Sequence, residues 1–383
     1  MKLRHLVASG VFGLSALVNS SNGAVINVPT DDGVLLQDYI DLAQPGDTLN
    51  IVYGTHFPQI SLYGSAIIDK DLTIEGNGWM LGNPTSGNTS PLITITSLLR
   101  SDPEHHLPTE PPLPINSAPV KVTLNNIFFS MPNSPYKNLI EVQDSSSLEI
   151  TNSELNGSWT GGRLNSLYFN STGDLTASNN IFHGSSSSSG INLEKIVGNI
   201  DIQLNEIRNG TDGIVVGSDA EGNSSTTLNI VNNTIYGYSG SGISLSSMLS
   251  NATGMIANNS ITDGSLGIEN PLSSGNVLVT NNNSYNNSGE VGEVSLSSLK
   301  DGISIQSTGV NYSLDPKYVN ASLNNFNLQP DSELYGKGLF VDGYTTWFPS
   351  QDNTWIGAYG IPEPSTSLII GAGLVGLLAG RKR

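Results

Sequence analysis

Val122-Thr123-Leu124-Asn125-Asn126-Ile127-Phe128-Phe129 opens with an apolar-polar-apolar alternation and then turns through two asparagines. The same figure returns as LEITNSEL from Leu148, LTASNNIF from Leu175, IDIQLNEI from Ile200, LNIVNNTI from Leu228, GMIANNSI from Gly254 and VLVTNNNS from Val277. The starts lie 26, 27, 25, 28, 26 and 23 residues apart, and shorter copies at Leu72 (LTIEGNG), Leu92 (LITIT) and Ile303 (ISIQS) extend the series in both directions. Alternation with period two marks strands, and a repeat of roughly 25 residues with no helix-period stretch inside it is one coil of short strands. Second strands follow at Leu139 (LIEV), Ile191 (INL), Ile214 (IVV), Ile243 (ISL) and Ile268. Stacking the coils pairs each strand in parallel with its copies above and below, which satisfies the backbone and lines the axis with Val, Ile and Leu. The expected fold is all-β, a right-handed parallel β-helix of roughly ten coils, its hand taken from the general rule for parallel crossovers.

The asparagines follow the same register. Asn126, Asn152, Asn179, Asn232, Asn258 and Asn281 fall four places after their segment starts, and Asn205 falls five after. An amide repeated at one corner can hydrogen-bond along the stack, and Asn tolerates the left-handed backbone of a tight corner. Both roles are assigned here to the same residue.

Composition narrows the function classes. Acids outnumber bases 33 to 15, giving a net charge of −18, and five of the bases (Lys2, Arg4, Arg381, Lys382, Arg383) sit at the extreme ends. So anionic a body is a poor partner for nucleic acid. The chain has no Cys, which excludes a disulfide scaffold, a thiol enzyme and a cysteine zinc site.

Both ends read as addresses. The basic start Met1 to His5, the apolar run Leu6 to Val18 and small residues up to Ala24 make a secretory signal, placed at 1–23. Pro362-Glu363-Pro364, an uncharged stretch from Ser365 to Gly380 and the basic finish Arg381-Lys382-Arg383 resemble the PEP-CTERM sorting signal, placed at 361–383. That resemblance implies a bacterial host, export, and an exosortase-type sorting enzyme as partner, with transient membrane contact through the tail. Between these ends, 24–360 is expected to be one β-helix domain. Its exposed first coil needs a cover. Asp31 to Ala43 sets Leu35, Leu36, Tyr39, Ile40 and Ala43 on one helical face, with Gly46 as a stop, and reads as a capping helix. The run Ile26 to Thr30, this helix, Pro45-Gly46-Asp47-Thr48 and Leu72 to Gly78 resemble the start of pectin-lyase-like right-handed β-helix proteins. Asp315-Pro316-Lys317-Tyr318-Val319, Phe326-Asn327-Leu328-Gln329-Pro330 and Ile356-Gly357-Ala358-Tyr359 resemble the closing segment of bacterial members, though the usual small-residue stretch is replaced by Asp331 to Tyr335. The resemblance implies the fold; the fold serves lyases, hydrolases, epimerases and inert adhesins alike.

The chemistry is read from register. Eight places after their starts stand Asn156, His183, Arg208 and Tyr236, just beyond the inward apolar position seven, so an outward column about 4.8 Å per step is expected. Trp159 and Arg163 flank its first member, and Asp212 and Tyr238 lie near its third and fourth. Aromatic faces and cations in a line suit a sugar chain. A polysaccharide lyase would use Arg208 to neutralise a uronate, with His183 or Tyr236 as base or acid. Trp159, Arg163 and Tyr238 would then bind substrate. Polygalacturonase-type hydrolysis needs neighbouring carboxylates, and only the split pair Asp212 and Asp219 offers itself. The Pro-rich stretch Leu98 to Pro119 carries His105 and His106 and reads as a projecting loop rather than a metal site. No resident metal or cofactor is called for; Ca²⁺ is the one ion that could bridge this acidic body to a polyanion. Two readings stay open: a cell-surface or matrix protein that binds or organises polysaccharide, and a polysaccharide-cleaving or epimerising enzyme around Arg208.

Overall fold

The computed structural model describes residues 23–29, 36–52, 59–61, 66–82, 91–97, 118–130, 138–156, 165–219, 226–245, 252–269, 276–287, 311–339 and 355–358. The chain is a parallel β-solenoid. One 17-stranded sheet carries the repeat segments, and an 8-stranded sheet carries the second strands in the order in which the coils stack; the stretch at Leu92, expected as a copy of the repeat opening, is instead a second strand, its Ile93–Ile95 pairing with Ala66–Ile68 and Asn138–Asp144. The pairing keeps register from coil to coil: Leu148 faces Leu175, Leu175 faces Ile200 and Ile200 faces Leu228, every contact parallel. Among the described residues the second sheet has eight strands, so the stack counted there is slightly shorter than the roughly ten coils expected. The coil expected at Ile303 lies outside the described residues.

Burial follows the alternation. Position seven of successive repeats supplies Phe129, Leu155, Phe182, Ile207, Ile235 and Ile261, all at 0% exposure. Each fully buried side chain of this size contributes about 1.5–3 kcal/mol, and the coils share one continuous core. A helix at Leu36–Leu42 covers the N-terminal end, with Leu36, Ile40 and Ala43 buried. It matches the later part of the expected capping helix; 30–35 lie outside the described residues. Among the described residues no helix is long and apolar enough to cross a membrane.

The asparagine corner divides into two rows. Asn126, Asn152, Asn179, Asn232, Asn258 and Asn281 all have φ between 51° and 58°, the left-handed corner expected of them. The buried ladder, however, runs one residue further on. Asn180 donates its backbone N–H and Nδ2 to Asn205 Oδ1, and Asn205 does the same to Asn233 Oδ1, each bond at 3.0 Å. Asn233 repeats the pattern on Asn259, Asn259 on Asn282, and Asn282 on Asn311. Each rung also donates Nδ2 to a carbonyl, Asn205 to Ala177 and Asn233 to Ile202 at 2.9 Å. The two rows differ in their partners: the left-handed Asn232, Asn258 and Asn281 turn their amides to the backbone of Trp355, Leu339 and Lys337, with Asn258 also donating to Asn232 Oδ1, while the next residue turns inward where an unpaired amide would be costly.

Asn205 belongs to this inner row, so the residue before it must take the corner. That residue is Leu204, at φ 56°. The left-handed backbone costs a residue with a bulky Cβ substituent about 1–2 kcal/mol, and Leu204 lies outside the continuous core. Leu204→Asn is expected to stabilise the protein by about 0.5–1 kcal/mol, read as a shift in the denaturation midpoint at unchanged slope. A loss of more than about 1 kcal/mol would mean that the burial of the leucine outweighs its backbone strain.

Candidate functional site

The position-eight column exists as expected in its pairing. Asn156 faces His183, His183 faces Arg208, Arg208 faces Tyr236, Tyr236 faces Thr262 and Thr262 faces Tyr285. Six successive coils therefore place their side chains in one file on the flank of the solenoid.

Its exposure is not what the sequence suggested. His183 and Arg208 are each only 9% exposed, and Tyr238 is 3% exposed within the core cluster. The closing segment covers the file: a hairpin of Tyr318–Asn320 and Asn325–Leu328, joined through the 3-10 turn Ala321–Leu323, lies across the coils. Phe326 reaches down onto it, with its ring 5.6 Å from Arg208 Cζ and 4.9 Å from the Tyr236 ring. Tyr318 meets Phe326 edge-on at 5.1 Å and its hydroxyl lies 2.7 Å from Ser260 Oγ. Further along, the chain is fastened to the corner row. Asn258 exchanges two bonds with Leu339, Asn281 donates to Lys337 O, Asn232 donates to Trp355 O and Gly357 O, and Ala358 N–H reaches Thr234 Oγ1 at 2.9 Å.

The expected site residues that fall within the described regions take the following places. Arg208 pairs with the buried Glu206, its neighbour at position six of the same coil. His183 Nε2 lies 3.2 Å from Glu154 Oε1. An arginine held by a buried carboxylate beneath a phenylalanine has its charge answered inside the protein, which corrects the expectation of an outward cation open to a uronate. Tyr238 is likewise corrected from outward to inward. Its hydroxyl donates to Asn287 Oδ1 at 2.8 Å, and burial pushes its pKa up, with Asp263 adding to the shift. Asp212 Oδ1 accepts the Ser241 N–H at 2.7 Å and serves a turn. Trp159, Arg163, the loop with His105 and His106, and both end signals lie outside the described residues.

Sequence reasoning missed the open end of the file. Beyond Tyr236, the side chains of Thr262, Asp263 and Tyr285 on the solenoid face Asp315, Lys317 and Tyr318 on the closing segment across a cleft of about 320 Å³. Lys317 is drawn to the far side, Nζ donating to Asp331 Oδ2 at 2.9 Å and holding the Asp331 carboxyl below its usual range. Tyr236 is raised first by burial and then by the charge of Asp263, and Tyr318 is raised by burial. The signal was present in sequence, as the next two members of the same register, but the opposing wall comes from 30 or more residues downstream.

Two families match the chain. One, described as periplasmic copper-binding protein (NosD), matches residues 121–313, half of the chain. The other, the PEP-CTERM protein-sorting motif, matches residues 360–383. No curated protein matches.

Proposed function

The chain belongs to the NosD family, and we propose that it is a non-catalytic member held at the cell surface or in the extracellular matrix, where it binds or organises polysaccharide. It is an exported β-helix protein with a C-terminal PEP-CTERM signal, the kind that an exosortase-type enzyme recognises. In this reading residues 1–23 are the export signal, 24–360 the working body, and 361–383 the tail that sorting removes. The observation that carries the proposal is the cleft at the open end of the file, between Thr262, Asp263 and Tyr285 on the coils and Asp315, Lys317 and Tyr318 on the closing segment. Tyrosine rings beside hydroxyl, amide and carboxylate groups in one cleft match the apolar face and the hydroxyls of a sugar.

Catalysis and copper fit less well. The residues first considered for a lyase, Arg208 and His183, are engaged with Glu206 and Glu154, and Arg208 in this reading supports Phe326 of the closing segment. Copper prefers Cys, Met and His donors. The chain has no Cys, and His183 is the one histidine among the described residues. Among those residues no three His, Cys, Asp or Glu side chains converge. The residues described here do not fit the ion in the family's name.

The test is affinity electrophoresis of the mature exported protein through gels cast with neutral, amino and acidic polysaccharides, with and without Ca²⁺. Retardation by at least one glycan is expected, reduced at least tenfold in affinity by Tyr285→Ala with the circular dichroism spectrum unchanged. Reducing ends and unsaturated uronate absorbance should stay at background. Migration unaffected by every glycan would remove the binding reading, and steady product release would restore the enzymatic one.

A further inference from the structure

The first coil begins at a single residue. Strand Val25–Pro29 pairs in parallel with Asp47–Val52, and one residue earlier the Ala24 carbonyl accepts the Thr48 N–H at 2.8 Å. The Ala24 N–H in turn donates to Asp47 Oδ1 at 2.7 Å, while Asp47 Oδ2 accepts the Gln44 N–H, also at 2.7 Å. Asp47 is buried, 6% exposed, and both of these donors are uncharged amides as long as residues 1–23 remain attached. Among the described residues it belongs to no ion pair. The ammonium of Lys70 is engaged elsewhere, on Ile40 O and Ala43 O at 3.1 Å at the end of the capping helix. A buried carboxylate with no cation is costly. A positive charge on the Ala24 nitrogen would answer it, at a distance typical of a charge-assisted bond.

A second observation is independent of the charges. A Cβ added at Gly23 would lie 1.8 Å from Gly46 O and 2.6 Å from Asp47 N, so a chain that enters Ala24 from upstream is pressed against the turn that carries Asp47. Any side chain at 23 would force that backbone to move. Ser21 and Gly23, third and first before Ala24, are also the small residues at which an export signal is cut.

We propose that removal of the export signal completes the first coil: the α-ammonium freed at Ala24 pairs with the buried carboxylate of Asp47. The inference rests on the export-signal reading of 1–23 and goes beyond it, by giving the new terminus a place in the fold. The cut is a hydrolysis by a signal-peptidase-type enzyme. Water adds across the Gly23–Ala24 peptide bond, the C–N bond breaks, Gly23 leaves as a carboxylate, and the proton released ends on the Ala24 amine, which is charged at neutral pH. The same nitrogen that donated to Asp47 as an amide then donates as an ammonium, and the crowded residue at 23 is gone.

The experiment uses the exported protein. Its terminal sequence and intact mass are expected to begin at Ala24. Acylation of its α-amine by an amine-selective ester at neutral pH, followed through the mass of the terminal peptide, should run at least tenfold slower than in the free peptide of residues 24–29, because a paired ammonium holds its proton and only the free base reacts. Asp47→Asn should restore most of that rate while the amide of Thr48 stays protected from exchange. Gly23→Ala, which keeps a small residue before the cut, should leave the mature protein unchanged in mass and in denaturation midpoint, since residue 23 is absent from it. An α-amine in the folded protein as reactive as that of the peptide would overturn the pairing and leave the export reading standing, and so would a mature chain that begins at any neighbouring residue. A protein that keeps Met1 would remove both.

Discussion

Asn233→Ala is expected to destabilise the solenoid by about 4 kcal/mol, the largest effect of any single truncation outside the apolar core. Asn233 Oδ1 accepts two donors from Asn205, its backbone N–H and its Nδ2, both at 3.0 Å. Its own Nδ2 donates to Ile202 O and to Asn259 Oδ1 at 2.9 Å. Alanine removes all of these while leaving the partners in place at 0% exposure, so the cost is that of stranded buried donors and acceptors rather than of an exchanged bond. Asn152→Gly, at an exposed corner where glycine holds the same backbone, should change stability by only a few tenths of a kcal/mol. Urea denaturation of the two variants gives the comparison directly, and amide exchange at Asn205 should accelerate in the first. A cost below about 1 kcal/mol for Asn233→Ala would mean that water replaces the side chain and that the ladder contributes little.

How far this ladder was legible in the sequence is instructive. Period-two alternation with a regular return is a local property, because each strand of a β-helix pairs with its nearest repeats, and that is why the strands, the core positions and the eight-place column could be read in advance. The ladder was misread by one place for a specific reason. Most repeats carry Asn-Asn, as in Asn232-Asn233 and Asn258-Asn259, and either residue of such a pair can be assigned the corner. Leu204-Asn205 breaks the tie, since only one asparagine is present there and it stands in the inner row. Tyr238 had a similar signal. Its ring occupies space that a side chain at Gly264 would fill, an added Cβ there falling 2.0 Å from Tyr238 Cε2. A glycine in the next coil opposite an aromatic residue thus points that residue inward. The cover over the column had no comparable signal. Phe326 lies 90 residues beyond Tyr236, and nothing periodic relates a closing segment to the coil on which it lies. The cleft depends on that same cover, so its solenoid wall was legible and its opposite wall was not.

Phe326→Ala carries the second large effect, about 3–5 kcal/mol, but the loss should fall on one part of the molecule. Phe326 is 1% exposed and touches the solenoid through Arg208 and Tyr236 and its own hairpin through Tyr318. The rest of the closing segment has a separate small core of Leu328, Leu334 and Ile356, and it keeps its bonds to Asn258, Asn281 and Thr234. The coils beneath hold one another through strand pairing and the ladder, neither of which passes through Phe326. Truncation should therefore open the hairpin locally while the stack stays folded, because stability in such an array is set by nearest-neighbour contacts. Amide exchange between Tyr318 and Leu328 should rise by two or more orders of magnitude, and the main denaturation midpoint should move little. Tyr236 and the Arg208–Glu206 pair would then meet water, and the cleft would lose the wall that Tyr318 forms. A variant whose whole β-sheet signal melts earlier, in step with the hairpin, would show instead that the closing segment is part of the stack's own stability.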